Sequence, residues 1–259
     1  DKKAEVTSKE DAKPMPEVKG DVEFKNVTFG YKKDVDVLKN VNFSVAQGET
    51  IALVGPTGAG KSTVVNLVSR FYDIRDGQIL IDGKDIRDVE LASLRTQMGI
   101  MTQDNYIFSG TIRENIMYGK LEASEEDMLA ASRAVHADDF IRDLENGYDT
   151  KLTARGGELS NGQRQLVAFA RTMLSNPRIL ILDEATSSID TKTEILVQKG
   201  IANLLKGRTS FVIAHRLSTI QNADRIFVID KGGIVESGSP EELMAKKGAY
   251  YALRQAQFS

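Results

Sequence analysis

The sequence predicts an α/β fold carrying a helical insertion, and three observations lead to it. Short apolar strands alternate with helix-period segments in the two end portions of the chain. A glycine-rich phosphate-binding loop joins a buried strand to a helix. A second apolar strand ends in two adjacent carboxylates. Alternation of this kind favours parallel strands linked by crossover helices, and ligands of such sheets gather at the carboxyl ends of the strands.

Residues 1–20 are rich in Lys, Glu and Asp, contain Pro14 and Pro16 and hold few apolar side chains. Such a stretch buries too little to offset its ordering entropy, so a flexible linker or tail is expected there, with the folded domain over 21–259. A start at Asp1 rather than Met is expected of a processed or excised piece. From Val22 the residues alternate apolar and polar, as in a half-buried strand, and residues 41–45 read likewise. Residues 51–54 form a continuous apolar run suited to a strand buried on both faces. A helix is expected from Lys61, with Val64, Val65, Leu67, Val68 and Phe71 on one face. Gly77 and Gly83 bracket a strand at 78–81. Residues 109–175 read as mainly helical, with one helix over 125–144 and another over 160–174. Strands at 179–183, 210–214 and 225–229 and a helix at 192–205 complete the pattern.

The composition is that of an ordinary globular domain, 41% hydrophobic and 27% charged. A net charge of −3 gives no field that favours a phosphate backbone, so nucleic acid is not an expected partner. The chain has no cysteine and two histidines, His136 and His215, which excludes disulfide scaffolds, thiol nucleophiles and a histidine-rich metal site. No apolar run approaches the roughly 18 residues that cross a membrane.

The sharpest motif is Gly55-Pro56-Thr57-Gly58-Ala59-Gly60-Lys61-Ser62, which matches G-x-x-x-x-G-K-[ST] between a buried strand and a helix. Glycines let the backbone wrap phosphate oxygens, and the turned N–H groups with the helix N-terminus form an anion nest. Lys61 supplies a cation to the phosphates, Ser62 a hydroxyl ligand for Mg²⁺, and Thr63 continues the loop into the helix. Alone, the motif reports only a nucleoside triphosphate. Residues 179–182 are apolar and lead into Asp183 and Glu184. Asp183 can hold Mg²⁺ through water and Glu184 can polarise an attacking water. A merely solvated strand end is the alternative, and the nearby phosphate loop weighs against it.

Leu159-Ser160-Asn161-Gly162-Gln163 then narrows the class. It resembles the signature sequence of ABC ATPases and stands about twenty residues before Asp183. Tyr31, in Phe29-Gly30-Tyr31, resembles that family's adenine-stacking aromatic, although its local sequence alone fits a core or surface aromatic. Gln103 resembles the glutamine linking the metal site to the transport domains. Ser187-Ser188-Ile189-Asp190 resembles the loop crossing the dimer interface, and Asp190 also reads as a helix N-cap. His215 resembles the histidine that contacts the γ-phosphate. The resemblance covers about residues 21–257. It implies a P-loop NTPase with a RecA-like core, an antiparallel β subdomain and an inserted α-helical subdomain at about 109–175. It also implies ATP and Mg²⁺ as ligands. Two such domains would close head to tail, with Ser160, Asn161, Gly162 and Gln163 of each completing the partner's ATP site.

Within the family, Phe108-Ser109-Gly110-Thr111-Ile112-Arg113-Glu114-Asn115-Ile116 and Arg155-Gly156-Gly157-Glu158 resemble exporter segments, as does the polar N-terminal linker. The implied setting is the cytoplasmic face of a membrane. Transmembrane domains would be engaged near residues 103–108, where core packing of Tyr106, Ile107 and Phe108 is the other reading. Two positions depart from the pattern. Asn161 stands where Gly is most usual, and Ala154 where many exporters carry Glu. A heterodimeric partner and tolerated variation both fit. An importer ATPase, a DNA-repair or chromosome ABC ATPase, and a module that binds ATP without turnover are the rivals. The lack of heptads and the presence of Glu184 and His215 weigh against the last two.

Overall fold

The computed structural model describes residues 6–102, 106–184 and 189–258. The chain divides into two compact units. The first comprises Asp1–Met98, Arg178–Glu184 and Gly207–Ser259, and the second Gly99–Pro177 and Ala185–Lys206.

In the first unit, β1 (Val22–Phe29) pairs antiparallel with β2 (Leu38–Val45) and β4 (Asp76–Ile81), and β4 with the short β5 (Lys84–Asp85). Val22 and Phe24 are buried with period-2 spacing, and after a register shift at Asn26 (φ 49°) Val27 and Phe29 resume it. The central sheet is different. β3 (Thr50–Val54), β9 (Ile179–Asp183), β10 (Thr209–Ile213) and β11 (Arg225–Asp230) run parallel in the order β11-β3-β10-β9, and β12 (Gly233–Gly238) adds an antiparallel edge beside β11. β3 and β10 are buried along their whole length, which explains why they read as continuous apolar runs. The helices α1 (Lys61–Val68), α2 (Leu91–Arg95), α8 (Leu217–Gln221), α9 (Pro240–Lys246) and α10 (Ala249–Phe258) complete the unit. β6 (Met98–Met101) carries the chain out of it.

The second unit holds a small hairpin of β7 (Gly110–Thr111) and β8 (Lys151–Leu152) with the helices α3 (Ile112–Met117), α4 (Glu125–Ala134), α5 (Ala137–Ile141), α6 (Asn161–Ser175) and α7 (Thr191–Leu205). Among the described residues no helix is long and apolar enough to cross a membrane.

Several expectations need correction. The single helix expected over 125–144 is two helices, because His136 adopts a left-handed φ of 63° and starts α5 afresh. Helix α7 packs on α6 within the second unit, with Gly200 seated where a Cβ would lie 2.9 Å from the Val135 carbonyl oxygen. Phe71 does not continue the buried face of α1. The chain turns at Arg70 (φ 49°), leaving Phe71 40% exposed. Arg70 is buried instead, its guanidinium donating to Asp73 and to the carbonyls of Ile86 and Val89.

The segment expected as a linker also makes ordered contacts from Thr7 onwards. Met15 and Val18 are buried. Ser93 Oγ accepts from the Met15 N–H at 2.7 Å, Gln97 Oε1 from the Val18 N–H at 2.7 Å, and the Asp82 carboxylate from the N–H groups of Lys19, Gly20 and Asp21. Its polar composition hides these anchors, since most of its hydrogen bonds use backbone atoms.

Candidate functional site

The buried strand β3 delivers the chain to the glycine loop, and α1 leaves it. Gly55 has φ 148°, and a Cβ there would lie 2.1 Å from the Ile229 carbonyl oxygen, so only glycine fits this crossing. Gly60 caps α1 in the left-handed region (φ 112°), with no side-chain hydrogen bond to the first turn. The leading N–H groups of a helix have no intrahelical acceptor. With no side-chain cap among the described residues and with the positive end of the helix dipole, they suit an anion. Pro56, Thr57, Gly58 and Ser62 lie at the surface here, while Ala59 is buried.

Lys61 folds over its own loop, with Nζ donating to the carbonyls of Gly55 at 2.7 Å and Pro56 at 3.0 Å. Burial pushes its ammonium below the ordinary lysine range, and Asp183 partly opposes this. Asp183, at the end of β9, is raised above the usual carboxylate range. Burial is the main cause, His215 and Lys61 pull the other way, and Glu184 adds to the rise. His215 Nε2 lies 3.9 Å from Asp183 Oδ1. Lys61, Asp183 and His215 therefore converge beside the open loop. Tyr31 stands 50% exposed, its hydroxyl 3.1 Å from Thr63 Oγ1 and its ring edge-on to Phe29 and Tyr72 at 4.9 and 5.0 Å.

Glu184 is placed differently. It is fully buried. Its Oε2 accepts from the N–H groups of His215 at 2.7 Å and Arg216 at 2.9 Å, and its Oε1 accepts from the Thr219 hydroxyl. The carboxylate is thus enclosed by the segment after β10 rather than presented to solvent beside the loop.

In the second unit, Ser160 and Gln163 form a capping box on α6. Ser160 Oγ accepts from the Gln163 N–H at 3.2 Å, and Gln163 Oε1 accepts from the Ser160 N–H at 3.0 Å. Asn161 is exposed, and its Oδ1 accepts from Arg164, which also donates to the Leu159 carbonyl at 2.9 Å. Gly162 is buried where a Cβ would lie 2.3 Å from Thr193 Cγ2. Asp190 caps α7 by accepting from the Thr193 N–H at 3.0 Å, which holds its carboxyl below the ordinary range. Ile107 is fully buried, whereas Tyr106 and Tyr118 are exposed around Phe108, with the Arg171 guanidinium 5.1 Å from the Phe108 ring centre.

The family model for ABC transporters matches residues 38–187. The chain belongs to the ABC transporter family. It is an ATP-binding ATPase domain of that family. It is 51% identical over 254 residues to an ATP-dependent lipid A-core flippase of Syntrophus aciditrophicus, covering 98% of this chain and 42% of the flippase. It is 48% identical over 242 residues to a fatty acid ABC transporter ATP-binding/permease protein of Mycobacterium bovis, covering 93% of this chain and 38% of that protein. Among solved structures it resembles a bacterial Atm1-family ABC exporter with ATP bound, with a TM-score of 0.91 and 44% identity over 98% of this chain and 45% of the exporter. The chain therefore spans less than half the length of these relatives. The likeness supports the P-loop NTPase reading of the α/β fold.

For this ABC domain, sequence reasoning singled out the residues that gather around the loop, Tyr31, residues 55–63, Asp183 and His215. It placed Glu184 with them, but the carboxylate is turned away. Gln103, Ser187 and Ser188 lie outside the described residues. Thr219 was missed, although it stands four residues after His215 and carries a hydroxyl that donates to Glu184.

Proposed function

We propose that this ABC domain is the ATP-hydrolysing motor of a membrane exporter, working as one of a pair. The observation that carries the reading is the uncapped glycine loop with Lys61, Asp183 and His215 around it. In this reading Tyr31 stacks on adenine and residues 55–63 cradle the phosphates, Lys61 leaving its two carbonyls for them. The donor set fits a hard divalent cation. Ser62 and Asp183, the latter through water, with Gln103, would hold Mg²⁺, which neutralises developing phosphate charge. Glu184 orients and deprotonates the attacking water, whose oxygen bonds to the γ-phosphorus as the β–γ bridging bond breaks, releasing ADP and phosphate. His215 steadies the γ-phosphate.

The second unit serves as the helical subdomain. Ser160, Asn161, Gly162 and Gln163 would face the ATP of a partner domain, with Asp190 at that interface. Residues 103–108 would meet transmembrane domains at the cytoplasmic face of a membrane. The exporter reading is supported over an importer by the flippase and exporter relatives.

Light scattering on the Glu184→Gln chain tests this. Adding ATP with Mg²⁺ is expected to double the mass from 28.5 kDa. A chain that binds ATP and keeps its mass would contradict pairing of like domains.

A further inference from the structure

Glu184 carries the strongest chemical demand in the proposed reaction and sits in a place where it cannot meet it. A general base must reach the proton that it removes. Here both carboxylate oxygens are occupied and the side chain has no exposure. A buried carboxylate is tolerated only when its charge is satisfied by hydrogen bonds, and charge-assisted bonds are the strong ones. Among the described residues three donors meet that need, and Arg216 Nη1 stands 3.8 Å from Oε1.

The donors are not equivalent. The N–H groups of His215 and Arg216 both serve Oε2, whereas Oε1 is held by the Thr219 hydroxyl. Losing the two backbone bonds requires the chain after β10 to move. Losing the third requires only a hydroxyl rotation, and it leaves Oε1 with the Arg216 guanidinium 3.8 Å away while Oε2 stays anchored. His215 joins this arrangement to the site, since its backbone N–H holds Glu184 while its imidazole lies 3.9 Å from Asp183.

We infer that Thr219 is a positioning residue that withholds Glu184 from water at the phosphate loop until the His215 segment shifts. The inference rests on the reading of Glu184 as the base. It concerns the resting state of the domain, in which an enclosed Glu184 limits hydrolysis of ATP before the pair has closed.

The test is single-turnover ATP hydrolysis with the chain in excess over ATP, alongside ATP binding and thermal melting. Thr219→Val keeps the shape and removes the donor. Its hydrolysis rate is expected to rise about three- to ten-fold, the scale of one hydrogen bond to a charged group partly replaced by other donors, with ATP affinity unchanged. Thr219→Ser, which restores the hydroxyl, is expected to return to the wild-type rate. The double variant Thr219→Val/Glu184→Gln is expected to show no gain, because the gain runs through Glu184.

A folded, ATP-binding Thr219→Val chain with an unchanged or lower rate would overturn the inference. Should Thr219→Val not fold, Thr219→Ala decides by the same criterion. Glu184→Gln alone separates the two levels. If it hydrolyses ATP like the wild type, the reading of the base fails. If it is inactive while Thr219→Val shows no gain, only the withholding role fails.

Discussion

The N-termini of α1 and α6 both carry glycines in or beside the first turn, and they are finished in opposite ways. At α1 the cap is Gly60, the first turn has no side-chain acceptor, and a lysine lies over the loop. At α6 the cap is Ser160, whose hydroxyl and Gln163 satisfy each other's backbone N–H groups. An uncapped N-terminus leaves donors and dipole for an anion, whereas a capping box stabilises the helix itself. The contrast extends to the glycines. Gly58 has open space where its Cβ would be, and Gly162 has Thr193 there. In the proposed reading the α1 end, with no side-chain cap among the described residues, is left open for a ligand. The α6 end satisfies its own first-turn groups through the capping box, and Asn161, held by Arg164, is exposed beside it.

The largest expected effect breaks the catalytic side of this contrast. Glu184→Gln should lower ATP turnover by roughly 10²–10⁴-fold, the range for losing a general base, with ATP binding retained, as measured by phosphate release and calorimetry. On the α6 side, Gly162→Ala forces a Cβ towards Thr193 Cγ2. It should destabilise the domain by about 1–3 kcal/mol in urea unfolding, without weakening ATP binding to the single chain. Ser160→Ala removes the α6 cap and should cost about 1 kcal/mol in the same assay, with ATP affinity again unchanged.

The smallest effect is a pH dependence. Asp183 is held above the ordinary carboxylate value of 3.8. Its folded pKa exceeds its unfolded one, so its contribution to stability is fully present below the unfolded value and lost as pH rises through the folded value. At neutral pH the ionised group therefore costs stability. Asp183→Asn should melt above the wild type at pH 7 without nucleotide, and the gap should narrow as pH falls towards 4. An unchanged gap across that range would remove burial as the cause.

What was legible in the sequence followed from locality. β3, the glycine loop and α1 are contiguous, so their pattern and chemistry appear together, and the alternating strands were visible from burial period alone. Asp190 as a cap was equally local. The rest depends on tertiary contacts. Nothing near Glu184 in sequence shows that it meets the chain after β10 thirty residues later. Arg70 was invisible as a buried residue because, apart from Asp73, the groups that satisfy it are carbonyls distant in sequence. The break at His136 is a single left-handed residue in a pattern whose apolar spacing runs on. The N-terminal segment was judged by composition, but its docking relies on backbone donors and two apolar side chains, Met15 and Val18.

The central claim is that the open end of α1, and not the capped end of α6, receives the phosphates within one chain. Titrating ADP with Mg²⁺ into the ¹⁵N-labelled domain, under conditions where it stays monomeric, tests that directly. The amide resonances of residues 58–63 should move strongly, and those of residues 161–164 should stay in place. Large shifts at 161–164 with none at 58–63 would contradict the account.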